Sequence, residues 1–421
     1  MMAGLYRALT TLAEPAAPLL LQARLWRGKE DESRLHEKLG RGTGARPEGR
    51  LVWVHAASVG ESLSVLPVIE RLHLATGATV MVTTGTTTSA GIMARRLPDG
   101  CFHQYAPLDG PRAVARFLDR WRPDAALWVE SELWPNLLAE TQRRGIPTAL
   151  VNGRMSPRSF ARWRRLPSLA RTMVGGFDVV LAQSEADGAR LTALGARNVT
   201  MAGDLKAVAT PLSTDSDALA RVREAIGNRP VWTAVSTHQG EEIVAGEVHR
   251  RLAPRVPGLL TVIVPRHADR GDAIETELSD RGLGVVRRSR NELPGPSADV
   301  FLGDSMGEMG LYLQLGNPVF VGKSLLHEGG HNPREPALLS RAVLFGPHME
   351  NFTQAAEGLL TAGGAVQVAN EETLATLVGK LVGQSEALET IGGKARAKAQ
   401  ADAAGILDAT LDALAPVLES Q

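Results

Sequence analysis

Short apolar runs, each closed by turn residues and followed by a stretch with helical spacing, recur along this chain in two series. "LVWVHA" (51–56), "TVMVTT" (79–84), "AALWVE" (125–130), "PTALVN" (147–152) and "DVVLAQ" (178–183) form the first. "PVWTAVST" (230–237), "LLTVIVPR" (259–266), "LGVVRR" (283–288), "ADVFLGD" (298–304), "NPVFVGK" (317–323) and "RAVLFG" (341–346) form the second. Runs this short, apolar on both faces, read as fully buried strands. Stretches such as "ESLSVLPVIERLHLA" and "GPRAVARFLDRW" between them read as helices. Strands alternating with helices require a parallel sheet with right-handed crossovers. The expected fold is therefore α/β, with two Rossmann-like, doubly wound domains joined near residues 202–217. The C-terminal "LDATLDALAPVLE" is expected to be a helix crossing back onto the first domain.

Composition narrows the function classes. With 421 residues the chain has room for two domains, and 44% hydrophobic residues suit packed cores. Lys plus Arg equal Asp plus Glu at 46 each, so no net field draws the chain to nucleic acid. The single cysteine, Cys101, excludes an internal disulfide and fits a reducing compartment.

The N-terminal "LYRALTTLAEPAAPLLLQARLW" (5–26) is mostly apolar, but Arg7, Glu14, Pro15, Pro18 and Arg24 interrupt it. A spanning helix needs about 20 predominantly apolar residues. A signal peptide needs a basic start and an unbroken apolar core. The segment reads instead as a helical hairpin or amphipathic element lying in a membrane interface, with a buried N-terminal helix as the competing reading.

Open α/β sheets bind ligands beyond the carboxyl ends of their strands. The polar clusters sit at such ends. They are His55–Glu61, "TTGTTTSAG" (83–91), "ESELWPN" (130–136) and "NGRMSPRS" (152–159) in the first half. In the second they are "STHQGEE" (236–242), "PRH" (265–267), "GDSMGEMG" (303–310) and "GGHNPREPA" (329–337). Two such lips face to face would enclose a cleft. Neither G-x-G-x-x-G after a strand nor the Walker phosphate loop occurs. "GDSMGEMG" still offers a phosphate site if a helix begins near Gly307. In the last motif, Asn332 and Glu335 suit either a ribose or helix capping. "HEGGH" (327–331) places two histidines four apart, but its paired glycines disfavour the helix that a zinc site of this spacing needs.

In their order, "VHAASVGES", "ESELWPNL", "NGRMSPRS", "LAQSEADGARLTALGA", "GDLK", "STHQGEE", "VPRH", "GDSMGEMG", "GGHNPREPA" and "GPHMENF" resemble the Kdo transferases. The resemblance runs from about Leu5 to the C-terminal helix. It implies the GT-B fold, and transfer of 3-deoxy-D-manno-octulosonic acid (Kdo) from CMP-Kdo to the lipid A precursor, lipid IVA. It also implies a place on the cytoplasmic face of the inner membrane. On this resemblance Glu61 is the general base, Glu130 supports the transition state, and Lys206 stabilises the leaving group. Ser131 stands where threonine is common in the family, and Glu132 is open to pairing with an arginine. Pro265 and Arg266, Met306, Gly307 and Glu308, and Asn332, Pro333, Arg334 and Glu335 would hold the CMP moiety. Arg334 would act more through its backbone than its side chain.

The helix start is expected to keep Glu61 ionised. Direct displacement would invert the anomeric centre, through a transition state like an oxocarbenium ion. No cofactor and no metal are expected. The expected division is a membrane-associating segment (1–30), an acceptor domain (31–204), a donor domain (205–405) and a C-terminal helix (406–421). The strip 154–171 has six arginines and no acid, interleaved with Phe160, Trp163 and Leu166. It is expected to meet anionic headgroups and bury its apolar side chains among lipids. Nucleic acid is not an expected partner. Two alternatives share part of the pattern. One is another GT-B nucleotide-sugar enzyme, an epimerase or a transferase with a different donor. The other is a non-catalytic lipid-surface binding protein.

Overall fold

The computed structural model describes residues 2–208, 212 and 214–419; residues 209–211 and 213 of the 202–217 stretch lie outside it. The chain divides into two compact units, Met1–Ala209 with Ala403–Gln421, and Thr210–Asp402.

The first unit is built on seven strands: β1 (Leu51–His55), β2 (Thr79–Thr84), β3 (Phe102–Tyr105), β4 (Ala125–Val129), β5 (Thr148–Gly153), β6 (Val179–Ala182) and β7 (Val199–Met201). They lie in the order β3-β2-β1-β4-β5-β6-β7, and every pairing is parallel. β1 and β4 are buried along their whole length, as a central strand covered on both faces must be. One face packs Trp53, Trp128, Phe117 and Leu137. The other packs Val52, Val54, Leu127 and Ile69, together with Leu414, Val417 and Leu418 from the end of the chain.

The second unit repeats the plan with β8 (Val231–Thr237), β9 (Leu260–Pro265), β10 (Val285–Arg287), β11 (Val300–Leu302), β12 (Val319–Val321), β13 (Val343–Phe345) and β14 (Ala365–Gln367). Their order is β10-β11-β9-β8-β12-β13-β14, again all parallel. The doubly wound α/β expectation holds for both sheets. β3, β7 and β14 are strands that the apolar runs did not announce, and all three lie at sheet edges.

Near its middle, each sheet has a point where the connections from two neighbouring strands leave in opposite directions. It lies between β1 and β4 in the first sheet and between β8 and β12 in the second. Loops beyond the carboxyl ends of such strand pairs diverge and leave a crevice.

The N-terminal segment forms two helices, Met2–Ala13 and Ala17–Leu25, joined at Pro15 by a short turn. The first is docked by its polar side. Tyr6 donates to Asp109 (2.9 Å), the Asn136 amide donates to Thr10 (2.9 Å), and Glu14 accepts the N–H groups of Arg112 and Ala113. Leu5, Leu9 and Leu12 follow i, i+4, i+7 spacing and are 54%, 58% and 79% exposed. A helix of a soluble domain buries its leucines and exposes its polar face; this one does the reverse. Among the described residues, no helix is long and apolar enough to cross a membrane.

Candidate active site

Glu61 lies in the first turn of helix Val59–Thr76, directly after β1. Ser58 caps that helix by accepting the Glu61 N–H, which fixes where the side chain starts. The Glu61 carboxylate then accepts from the Ser58 hydroxyl (2.7 Å) and the Ala57 N–H (2.8 Å). It is 7% exposed. Burial pushes its pKa above the ordinary carboxylate range; the Ser58 and Ala57 bonds oppose the shift, and Glu132 and Glu130 add to it. The helix start was expected to keep this group ionised. The raised pKa opposes that tendency without removing it: above the raised value the group is ionised.

Across the same switch point, Glu130 follows β4 and has φ 60°. The left-handed region is costly for a residue with a Cβ, so such strain gathers at functional edges. Lys206 Nζ meets Glu130 Oε1 at 2.7 Å, from the short turn Leu205–Val208. The Leu205 N–H donates to Asn152 Oδ1, and Asn152 is another left-handed residue (φ 55°) at the end of β5. The structure thus brings Glu61, Glu130 and Lys206 to one edge of the first sheet. Glu132 takes the indole N–H of Trp134 (2.7 Å), and no arginine pairs with it among the described residues. The Trp134 ring in turn stands edge-on to His55. His55, singled out as a polar strand end, is buried and neutral, with burial lowering its pKa to about 4.

In the second unit, Pro265 ends β9, and the exposed Arg266 follows it, its N–H donating to Thr237 O. Glu335 is half-buried; burial raises its pKa against the pull of Asn332 and Arg266. Asn332 Oδ1 accepts the Arg334 N–H and its amide reaches Glu335 at 3.4 Å, so Asn332 shapes the entry to helix Arg334–Leu338. Pro333 is the N-cap residue there. Beyond β11, Met306 is 83% exposed and Gly307 has φ 82°. The helix expected near Gly307 begins at Met309 and ends at Tyr312. One turn carries little dipole, so that argument for a phosphate weakens. The Glu308 carboxylate is held by Arg288 and by the Ser305 hydroxyl, which keep its pKa low.

Several residues of this edge were not legible as a group in the sequence. Glu241, 1% exposed, accepts the N–H groups of His238, Lys323, Ser324 and Leu325. One carboxylate thus ties the loop after β8 to the loop after β12. Gly322 permits the approach: a Cβ there would lie 2.7 Å from Ser236 O and 2.9 Å from Glu241 Oε2. Four histidines also gather at this edge. His238 Nε2 lies 3.0 Å from His331 Nε2, and the His267 and His327 rings lie within 6 Å of the His238 ring, centre to centre. The only signal was that each histidine falls at a strand end. Among the described residues, no group of three or more His, Cys, Asp or Glu is placed to hold a metal ion.

The strip 154–171 differs from its expectation. Phe160, Trp163 and Leu166 pack against the first unit's core and are only partly exposed. The arginines remain outside, and Arg164 covers the Phe160 ring.

Residues 33–209 match the family model described as 3-deoxy-D-manno-octulosonic-acid transferase (kdotransferase). Curated relatives carry the name 3-deoxy-D-manno-octulosonic acid transferase. The Haemophilus influenzae protein is 32% identical, with 98% of each chain covered. The Bordetella pertussis protein is 35% identical over 97% of this chain and 98% of that one. Among solved structures, a glycosyltransferase from Rickettsia africae superposes with TM-score 0.60 at 12% identity, covering 89% of this chain and all of that one. A UDP-GlcNAc 2-epimerase from Neisseria meningitidis gives 0.55 at 14%, covering 86% and 99%. These last two show a shared fold.

Proposed function

The chain belongs to the 3-deoxy-D-manno-octulosonic acid transferase family, and from that premise we propose the acceptor, the residue roles and the place of action. It is a glycosyltransferase of the GT-B fold that transfers Kdo in lipopolysaccharide biosynthesis. The proposed donor is CMP-Kdo and the proposed acceptor is lipid IVA, the acylated, phosphorylated precursor of lipid A. The observation that carries the proposed chemistry is Glu61, a buried carboxylate of raised pKa at the β1/β4 switch point.

An acceptor hydroxyl is far too weak an acid to ionise near pH 7, so a positioned base must take its proton as it attacks. A carboxylate of raised pKa is a stronger base than an ordinary one. Ser58 and Ala57 hold its two oxygens, so its orientation is set before substrate arrives. Attack on the anomeric carbon from the face opposite CMP inverts that centre. Glu130 anchors Lys206, whose cation stabilises negative charge developing on the leaving group. In the second unit, Pro265, Arg266, Met306, Gly307, Glu308 and Asn332–Glu335 hold the CMP moiety. Glu335 is the acceptor for ribose hydroxyls, and Glu308, locked by Arg288, sets its loop. The cations offered to phosphate are side chains, so transfer is expected to proceed undiminished in EDTA.

The outward leucines of helix Met2–Ala13 support a place on the inner membrane. The exposed arginines of 154–171 support attraction to anionic headgroups or to the acceptor's phosphates. No part of this reading uses nucleic acid.

The test is CMP release from CMP-Kdo with and without tetra-acylated lipid A precursor, with product mass counting the Kdo units. Release that needs the acceptor is the expected result. No release from an intact donor in detergent would remove this acceptor and donor from consideration.

A further inference from the structure

The four-histidine cluster of the second unit has no part in the roles given so far. His238 follows β8 and His331 follows β12, so the pair sits at the second sheet's switch point. Their rings stack at 24° with centres 5.2 Å apart. At 3.0 Å, one Nε2–H must donate to the other Nε2. Two neutral rings satisfy this, and so does a pair carrying one extra proton on a δ nitrogen. A second extra proton would set N–H against N–H and break the contact. The pair is therefore a store of limited capacity.

Its surroundings fix when the store is empty. His238 faces Glu241, Lys323, His267 and His327, and His331 faces Arg266, Lys323 and Glu241. Cations outnumber the one carboxylate, which is already committed to four backbone N–H groups. Burial lowers both pKa values, His331 to about 4. His327 is otherwise engaged, donating Nε2–H to Gln239 O (2.8 Å). Without an anion the pair is neutral near pH 7. A phosphate beside Arg266 would offset the two cations and favour the charged pair.

We propose that His238 and His331 take up one proton as the donor's phosphate binds and hand it to that phosphate as CMP departs. This rests on the reading that Arg266 and Asn332–Glu335 hold the CMP moiety. In the step, the bond between the anomeric carbon and the phosphate oxygen breaks and its electron pair stays on oxygen. The pair's extra proton moves to the phosphate, which leaves as the monoanion, and the two rings return to neutrality. The acceptor's proton goes separately to Glu61, so charge and protons balance. Protonation spares the site a phosphate dianion at the moment of departure.

Calorimetric titration of CMP into the full-length protein at pH 7.5, in two buffers of different ionisation enthalpy, counts protons taken up. Wild type is expected to take up about one proton per CMP, set by the single-proton capacity of a coupled pair. His238→Gln and His331→Gln should still bind CMP and lose most of that uptake, whereas His327→Gln should keep it. In turnover, the first two variants should lose about 10²-fold in kcat with a smaller change in KM. CMP binding with no proton uptake in wild type overturns the proposal, a result that needs no variant to fold. Uptake that persists in both pair variants also overturns it, since the phosphate would then gain its proton without the histidines. Failure of wild type to bind CMP at all would instead bring down the nucleotide-site reading beneath it.

Discussion

Glu61 shows how much a single position can hold and how much it cannot reveal alone. Its place in "SVGE" at a helix start was readable from the string; its raised pKa was not, because it comes from burial in the fold and from the Glu130 and Glu132 charges beyond β4. Glu61→Gln is expected to cut CMP release by about 10²–10⁴-fold, the usual share of a general base. In wild type, kcat/KM should fall on the acid side at a pH above the ordinary carboxylate range, because only the ionised form accepts a proton. The linkage to stability runs the other way. A carboxylate whose folded pKa is raised favours folding most below its unfolded pKa, and that benefit is lost as pH climbs through the raised value. At pH 7.5 ionised Glu61 burdens the fold, so Glu61→Gln should unfold at the same temperature as wild type or higher. A clearly lower midpoint in a thermal melt would contradict this. Glu241 lies at the other extreme. Glutamine keeps one acceptor oxygen for four N–H groups, and a buried N–H left unpaired costs about 1–3 kcal/mol. Glu241→Gln should lower the urea midpoint accordingly, with CMP binding weakened in parallel.

At the level of elements, legibility followed burial. Central strands such as β1, β4 and β8 are covered on both faces, so they appear as unbroken apolar runs. The unannounced strands are "FHQY", "VTM" and "AVQ", each short and at a sheet edge. An edge strand pairs on one side only and tolerates polar residues that a buried strand excludes, so its string carries no distinctive pattern. The histidine cluster was illegible for a related reason. Its members come from three strand ends and are neighbours only once the sheet order is known. The N-terminal helix was legible as apolar but not in its orientation, which depends on Asp109, Asn136 and the N–H groups at 112 and 113 receiving its polar side. Replacing Leu5, Leu9 and Leu12 by serine should reduce co-flotation with anionic vesicles and leave CMP binding in detergent unchanged. Equal flotation of variant and wild type would transfer the membrane role to the arginine strip.

For the whole molecule, the feature with the widest reach is helix Ser385–Glu419. Ala395 and Ala399 belong to a core of the second unit. Leu414, Val417 and Leu418 belong to a core of the first, among Val52, Val54 and Leu127. Burying each of those three side chains contributes about 1.5–3 kcal/mol. A chain ending at Asp402 should therefore lose its first unit to proteolysis well before its second. Equal protease resistance of the two units would show that the last helix is dispensable. Consider, finally, how such a chain leaves a ribosome. Residues 2–208 emerge first, yet their core lacks three of its side chains until residue 418 has been added. At roughly 5–20 residues per second the wait lasts some tens of seconds. Through that interval the half carrying the outward leucines has an open apolar face. The order of synthesis and the order of completion are thus opposed: the part begun first is the last to be finished.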